Sequence, residues 1–267
     1  MSNNAAVKWC ARRKALVSEN KVLKGLTGVL KQTFYPAYTY RTHAVSVAAT
    51  SHAPTQLIRG SRRVGIGLDR AMTQSVDLAL RYALKPEVFW NSAEAERACA
   101  QMESKSNKST LRGIAKRRIP YIRWFWSYLM MNNLRPVATQ VAVRHPSLRL
   151  GTMADLVVVD ARGLRHVVEV KTGFENSLLA PANSSMRLSM QGHNDCPLHQ
   201  HMLQLAATHS MYCSTHQSHA MGAPFLLRFD SRGVTCCKLD AWARGPRVAT
   251  QLFQDIHTAV FAPAARR

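Results

Sequence analysis

The stretch that decides the fold runs from Gly151 to Gly173 and reads GTMADLVVVDARGLRHVVEVKTG. Two runs with a period of two, Ala154 to Asp160 and Leu164 to Lys171, flank Ala161-Arg162-Gly163. β-Branched runs joined by a short glycine-containing connection predict an antiparallel hairpin. With Gly163 left-handed in a three-residue turn, Asp160 pairs with Leu164, and paired residue numbers sum to 324. Asp155 then falls opposite Glu169. Side chains alternate, so Glu169 and Lys171 share one face of their strand, while Val168 and Val170 point to the other. A slip of one residue would move Asp155 to the opposite face.

Two carboxylates opposite each other on a sheet repel, and burial beside Val157, Val159 and Val167 makes the repulsion worse. A divalent cation would offset it, with Lys171 as a second positive charge. Asp155, Glu169 and the backbone carbonyl of Val170 form the hard oxygen set that Mg²⁺ or Mn²⁺ takes, with positions left for water and a phosphate oxygen. Lys171 would orient the attacking water or offset transition-state charge. The bland alternative is a surface hairpin with an acid–lysine pair on its solvent face.

Working outward, Gly65 to Leu84 and Glu87 to Met102 read as helices, and Ser104 to Ser109 as a polar loop. Pro120 is expected to open a helix with Ile122, Phe125, Trp126, Leu129 and Met130 on its apolar face, stopped by Asn132 and Asn133. Val137 to Val143 is a third strand. A polar loop over 173 to 195 leads to a helix from about Pro197 to Ser210. A second hairpin follows, Phe225 to Asp230 and Val234 to Leu239, and a last helix runs from about Arg247 to Phe261. This order predicts an α/β fold, a central mixed sheet flanked by helices.

The chain has 267 residues, enough to bury a full core, with 36 Lys+Arg against 15 Asp+Glu and a formal charge of +21. Such an excess implies a polyanionic partner, nucleic acid ahead of a membrane surface or ribosomal RNA, and DNA is the nucleic acid expected. Residues 1 to 63 hold eleven Lys/Arg and a single acid, Glu19, and residues 104 to 154 hold ten and none. Residues 1–62 are therefore expected to be a basic, partly disordered arm that tracks phosphates, and 63–267 the folded domain. The arm's Ser/Ala/Arg-rich make-up also suits an organelle transit peptide. With no secretory signal core and no membrane-length apolar run, the expected location is intracellular, the nucleus ahead of a mitochondrion or other organelle. The sequence leaves the oligomeric state open.

The run Gly151 to Gly173 resembles the PD-(D/E)XK nuclease superfamily, nearest its RecB-like exonuclease branch, in which a Gly-x-x-x-Asp strand precedes a Glu/Asp-x-Lys-Thr-Gly strand. The resemblance implies a restriction-endonuclease-like core and a magnesium-dependent nuclease. It makes Asp155 and Glu169 metal ligands and Lys171 the catalytic lysine, with Thr172-Gly173 completing the motif. The Gln-Leu helix of that branch matches His201-Met-Leu-Gln204-Leu205, with Gln204 in the Gln position. The family's upstream Gly-x-x-x-His motif matches Gly65-Ile-Gly-Leu-Asp69, which puts Asp69 where a metal-binding imidazole stands. Asp77 and Glu96 are competing helical acids, and Gln140 stands on the first strand where many relatives carry Glu. The rival readings are a catalytically inactive nuclease fold and a basic module that only binds nucleic acid, its carboxylates incidental.

Other constellations point elsewhere. Cys196-Pro-Leu-His199 and Cys213-Ser-Thr-His216 have zinc-like gaps, but an intervening helix would hold them roughly 25 Å apart at 1.5 Å per residue. Polar helix ends rich in His are the plain reading, the alternative being that His199 and His201 face phosphate beside Gln204. The six cysteines read as free thiols, with Cys236 and Cys237 on opposite strand faces. Trp124-Phe-Trp126 reads as core or as a base-stacking platform, and Lys116-Arg117-Arg118 as a phosphate contact, an import patch or a solvated face.

Overall fold

The computed structural model describes residues 7–10, 15–19, 21–35, 68–69, 71–73, 75–77, 79–81, 112–172, 185–230, 233–244 and 246–262. The helix expected over Glu87 to Met102, with Glu96, the loop Ser104 to Ser109 and residues 173–184 lie outside them.

The decisive hairpin folds as its turn chemistry requires. Gly163 has φ +81°, a conformation that glycine adopts without steric cost, and the Asp160 N–H donates to the Leu164 carbonyl at 3.0 Å. Strands β6 (Leu150–Val159) and β7 (Arg165–Thr172) pair antiparallel from Val159↔Arg165 to Leu156↔Val168, and each pair sums to 324. β5 (Arg135–Arg144) pairs antiparallel along the other edge of β6, with an irregularity between Pro136 and Ala138. After β7 the chain crosses over through the long helix Pro197–Thr215 and returns as β8 (Phe225–Asp230), parallel to β7, then reverses into β9 (Gly233–Lys238). The result is a mixed sheet with helices on both faces.

Along β7, β8 and the part of β6 paired with β7, period-two alternation divides the strand residues between two cores. Leu156, Val158, Val168 and Leu227 meet the helical residues between 68 and 79 and the helix α2 (Arg112–Met131). Val157, Val167 and Leu226 face the other layer: α1 (Leu26–Phe34), α3 (Pro197–Thr215) and α4 (Pro246–Ile256). Cys236 and Cys237 divide between the two cores in the same way.

Two expectations require correction. Pro120 does not open its helix: α2 starts at Arg112 and runs through it. A proline inside a helix costs roughly 3 kcal/mol. Ile122, Phe125, Trp126 and Leu129 are all buried beyond it, and at roughly 1.5–3 kcal/mol per side chain they outweigh that cost. The helix ends as expected at Asn132 and Asn133. Asn133 takes φ +50°, and Leu134 N–H reaches back to the Leu129 carbonyl at 2.8 Å.

The second correction concerns the described part of residues 1–62, which ends at Tyr35 and packs with the domain rather than apart from it. β1 (Lys8–Cys10), β2 (Ala15–Ser18) and β3 (Lys21–Val22) form a small antiparallel sheet, and α1 contributes Leu26, Val29, Leu30 and Phe34 to the main core. The amphipathic spacing of α1 outweighs the basic composition around it.

The short strand β4 (Lys24–Gly25) bears on the site. It pairs parallel with β6 at Lys24↔Leu150 and Gly25↔Gly151. A strand has two hydrogen-bonding edges. β5 holds one edge of β6 from Gly151 to Val159, so β7 and β4 share the other, one at each end. Between them lies a notch, and Asp155 stands in it.

Candidate functional site

The ladder between β6 and β7 stops at Leu156↔Val168, one pair short of Asp155 and Glu169. Continued, it would bond Val170 to Ala154. Instead the Val170 N–H donates to Asp155 Oδ2 at 2.9 Å, so the carboxylate takes the place of a backbone acceptor. In a strand the N–H and C=O of one residue point to the same edge. The Val170 carbonyl therefore also faces the notch. On the opposite edge, Gln140 lies across from Asp155 in the β5–β6 register and takes φ +47°, although the pairs on either side of it, Thr139↔Leu156 and Val141↔Ala154, keep one register. A non-glycine residue there is strained by roughly 1–2 kcal/mol.

Glu169 is 1% exposed. One oxygen, Oε1, accepts from Lys171 Nζ, two residues along the same face, and from Gln204 Nε2 at 2.8 Å. Gln204 comes from α3, the crossover helix packed on this face of the sheet. The other oxygen, Oε2, is buried and has no hydrogen-bond partner among the described residues. An unpaired buried carboxylate oxygen costs several kcal/mol if it carries charge. Burial, with the Asp155 charge added, pushes Glu169 up to about 7 against the pull of Lys171. Burial likewise raises the Asp155 pKa from its ordinary value, although Lys171 and the Val170 N–H oppose it. For Lys171, burial disfavours the ammonium, but Glu169 and Asp155 together outweigh it and hold the lysine charged.

Asp69, from the helical residues on the other side of the sheet, also belongs to this field: its charge raises Glu169 and supports charged Lys171. Asp69, Thr73, Thr139 and Asp155 line a cavity of about 10 Å³ closed by Val76 and Phe125. That is room for about one water-sized guest. The segment bearing Asp69 is anchored by Trp126, whose indole N–H donates to Ser75 Oγ at 3.1 Å. Trp126 and Phe125 are core side chains, each 1% exposed, so no base-stacking platform forms from that pair. Asp77 is used differently, accepting from Thr139 Oγ1 at 2.8 Å.

The histidines separate. His199 bonds the Asn194 carbonyl at 2.9 Å and sits with His193 against Trp242, away from Gln204. His201 lies in the field of Lys171: burial lowers its pKa well below the ordinary value, and Lys171 and Lys31 lower it further. The two zinc-like pairs stand at opposite ends of one unbroken helix, α3, which removes any shared site between them. Among the described residues, no three His, Cys, Asp or Glu side chains form a group that could hold a metal ion on their own. Any cation here would lean on two carboxylates and backbone oxygen. The donors fit a hard cation on three counts: the unsatisfied Glu169 Oε2, the raised pKa of both acids, and the carbonyl facing the notch.

Sequence reasoning did not identify Lys31 or the left-handed backbone of Gln140. A charged residue in an acid-poor segment carries no local sign of what it will face, and glutamine is not a residue whose identity announces a positive φ. No family model matches the chain, and no curated protein matches its sequence.

Proposed function

We propose that this chain is a metal-dependent nuclease of restriction-endonuclease-like fold that hydrolyses DNA phosphodiester bonds. The observation that carries the reading is Glu169: a buried carboxylate held by Lys171 and Gln204 on one oxygen, unsatisfied on the other, with Asp155 across a broken ladder. The element order α2-β5-β6-β7-α3-β8, with three antiparallel strands and a fourth parallel to the third, suits that fold.

Asp155, Glu169 and the Val170 carbonyl would hold Mg²⁺ or Mn²⁺, with Asp69 the candidate for a further carboxylate. When bound, such an ion supplies Lewis acidity to the phosphodiester and to water. Lys171, tied to Glu169, keeps an ammonium beside the reacting phosphate and stabilises developing negative charge there. Gln204 fixes the Glu169 rotamer and leaves its second oxygen aimed away from the pair. The α2 and α3 walls exclude bulk water, which strengthens these charge interactions. The net charge of +21 supports a nucleic-acid substrate.

The deciding experiment incubates the purified chain with end-labelled DNA in Mg²⁺ or EDTA, beside Lys171→Ala. Cleavage that needs Mg²⁺ and disappears in the variant is the expected result. Equal cleavage by the variant sinks the mechanism. DNA binding without cleavage by either protein would favour the reading in which the fold only binds nucleic acid. No described helix is long and apolar enough to cross a membrane.

A further inference from the structure

Helix α1 begins directly after β4, the strand that shares the notched edge of β6 with β7. Its far end is tied to the crossover helix. Tyr35 Oη donates to the Gln200 carbonyl at 3.2 Å, and the Phe34 carbonyl accepts the Arg187 N–H at 3.0 Å. Lys31, about one helical turn before Tyr35, is exposed. The tether brings that turn beside the first turns of α3, where His201 follows Gln200. His201 also shares a helix face with Gln204, three residues on, and Gln204 holds Glu169. The imidazole is partly exposed, and no hydrogen bond engages it among the described residues. Lys171, which holds Glu169, and Lys31 both act on His201, so the three donors are neighbours.

We propose that Lys31 and His201 form a phosphate subsite for the nucleic-acid strand beside the reacting phosphodiester, an assignment that rests on the nuclease reading for the identity of the ligand. A strand carries regularly spaced phosphates, so an anchor near the reacting one holds its neighbour in register. The two side chains do different work. Lys31 neutralises a phosphate and releases counterions. His201, kept neutral by burial and by the two lysines, donates a hydrogen bond without adding charge.

That division gives the test. Binding of a fluorescein-labelled single-stranded DNA oligonucleotide is followed by anisotropy across a salt series in EDTA, using the full chain and four variants. Lys31→Ala should weaken binding several-fold and reduce the slope of log K against log salt by about one unit. His201→Ala should weaken binding without changing the slope, and His201→Gln, which keeps an N–H donor, should retain it. Lys24→Ala removes the same charge from β4, just before α1, where Lys24 lies over Phe261, and should have the smaller effect. In Mg²⁺, Lys31→Ala should raise KM several-fold. Wild-type affinity in both Lys31→Ala and His201→Ala overturns the subsite, as does an equal loss from Lys24→Ala, which would mean diffuse attraction. The predicted binding pattern with no cleavage by any protein would instead sink the nuclease reading and leave the subsite standing.

Discussion

Asp155 and Asp160 stand five residues apart on one side of the same hairpin, and their surroundings are opposites. Asp160 sits at the closed end. Its Oδ1 accepts the N–H groups of Arg162 and Leu164, each at 2.9 Å, and its Oδ2 accepts from the Arg162 guanidinium at 3.1 Å, with His166 Nε2 at 3.3 Å. Desolvation alone would raise its pKa, but the donors of Leu164, His166 and Arg162 win and hold it at about 2. His166 can stand so close because Gly222 has no side chain: a Cβ there would lie 2.1 Å from the ring. Asp155 sits at the open end, where the ladder has stopped, one backbone N–H is on offer, and a second carboxylate faces it. Burial raises its pKa. The same residue type is structural where donors meet its lone pairs. Where they do not, it is a candidate ligand, because the deficit calls for a positive charge from outside the chain.

Four experiments would break or sharpen that contrast. The largest effect is expected at the open end: Asp155→Asn or Glu169→Gln should lower the rate of DNA cleavage by about 10³-fold while far-UV circular dichroism stays unchanged. Cleavage within a few-fold of wild type would make the acids incidental.

The second experiment uses pH and metal. A carboxyl group whose folded pKa is raised favours the folded state at low pH, and that contribution is lost as pH climbs from its unfolded value. For Glu169 the window runs from 4.5 to about 7. In EDTA, Tm should therefore fall across this window. Mg²⁺ binds the ionised form, so its stabilisation should grow with pH, reaching roughly 2–3 kcal/mol at a hundredfold excess over Kd. Superimposable melting curves with Mg²⁺ and EDTA at neutral pH would count against a cation.

Gln204→Ala comes third. Removing a residue that orients a ligand costs about 10–100-fold. Glu169 also loses a donor to its charged form, so the acidic limb of the pH–rate profile should move to higher pH. A slower enzyme with an unmoved profile would reduce Gln204 to packing. The smallest effect on chemistry belongs to the closed end. Asp160→Ala should lower Tm at neutral pH and spare most of the cleavage rate. The depressed pKa sets the sign: this stability is present above 3.8 and lost as pH falls through about 2. The gap between variant and wild type should therefore close in acid. A variant that melts like wild type at neutral pH would deny Asp160 its structural role.

Much of the sheet was legible because its determinants are local. Gly163 and the alternation of Val157, Val158 and Val159 suffice to pair Leu156 with Val168, and Asn133 marks the end of its helix through its tolerance of positive φ. Two local signals misled. Pro120 reads as a helix start only while the packing of Ile122 to Leu129 is ignored, and the basic residues around α1 hide Leu26, Leu30 and Phe34, which a core recruits.

For the hairpin itself, the order of residues determined the register as far as Leu156↔Val168 and put Lys171 on the same face as Glu169, because register and alternation follow from the turn and the two-residue period. Only the tertiary structure decided that β7 leaves β6 one pair before Asp155 and Glu169, that α3 brings Gln204 to one Glu169 oxygen and leaves the other bare, and that α1 packs against the start of α3. Burial and charge pairing depend on neighbours distant in sequence, and no local pattern encodes which of them will arrive.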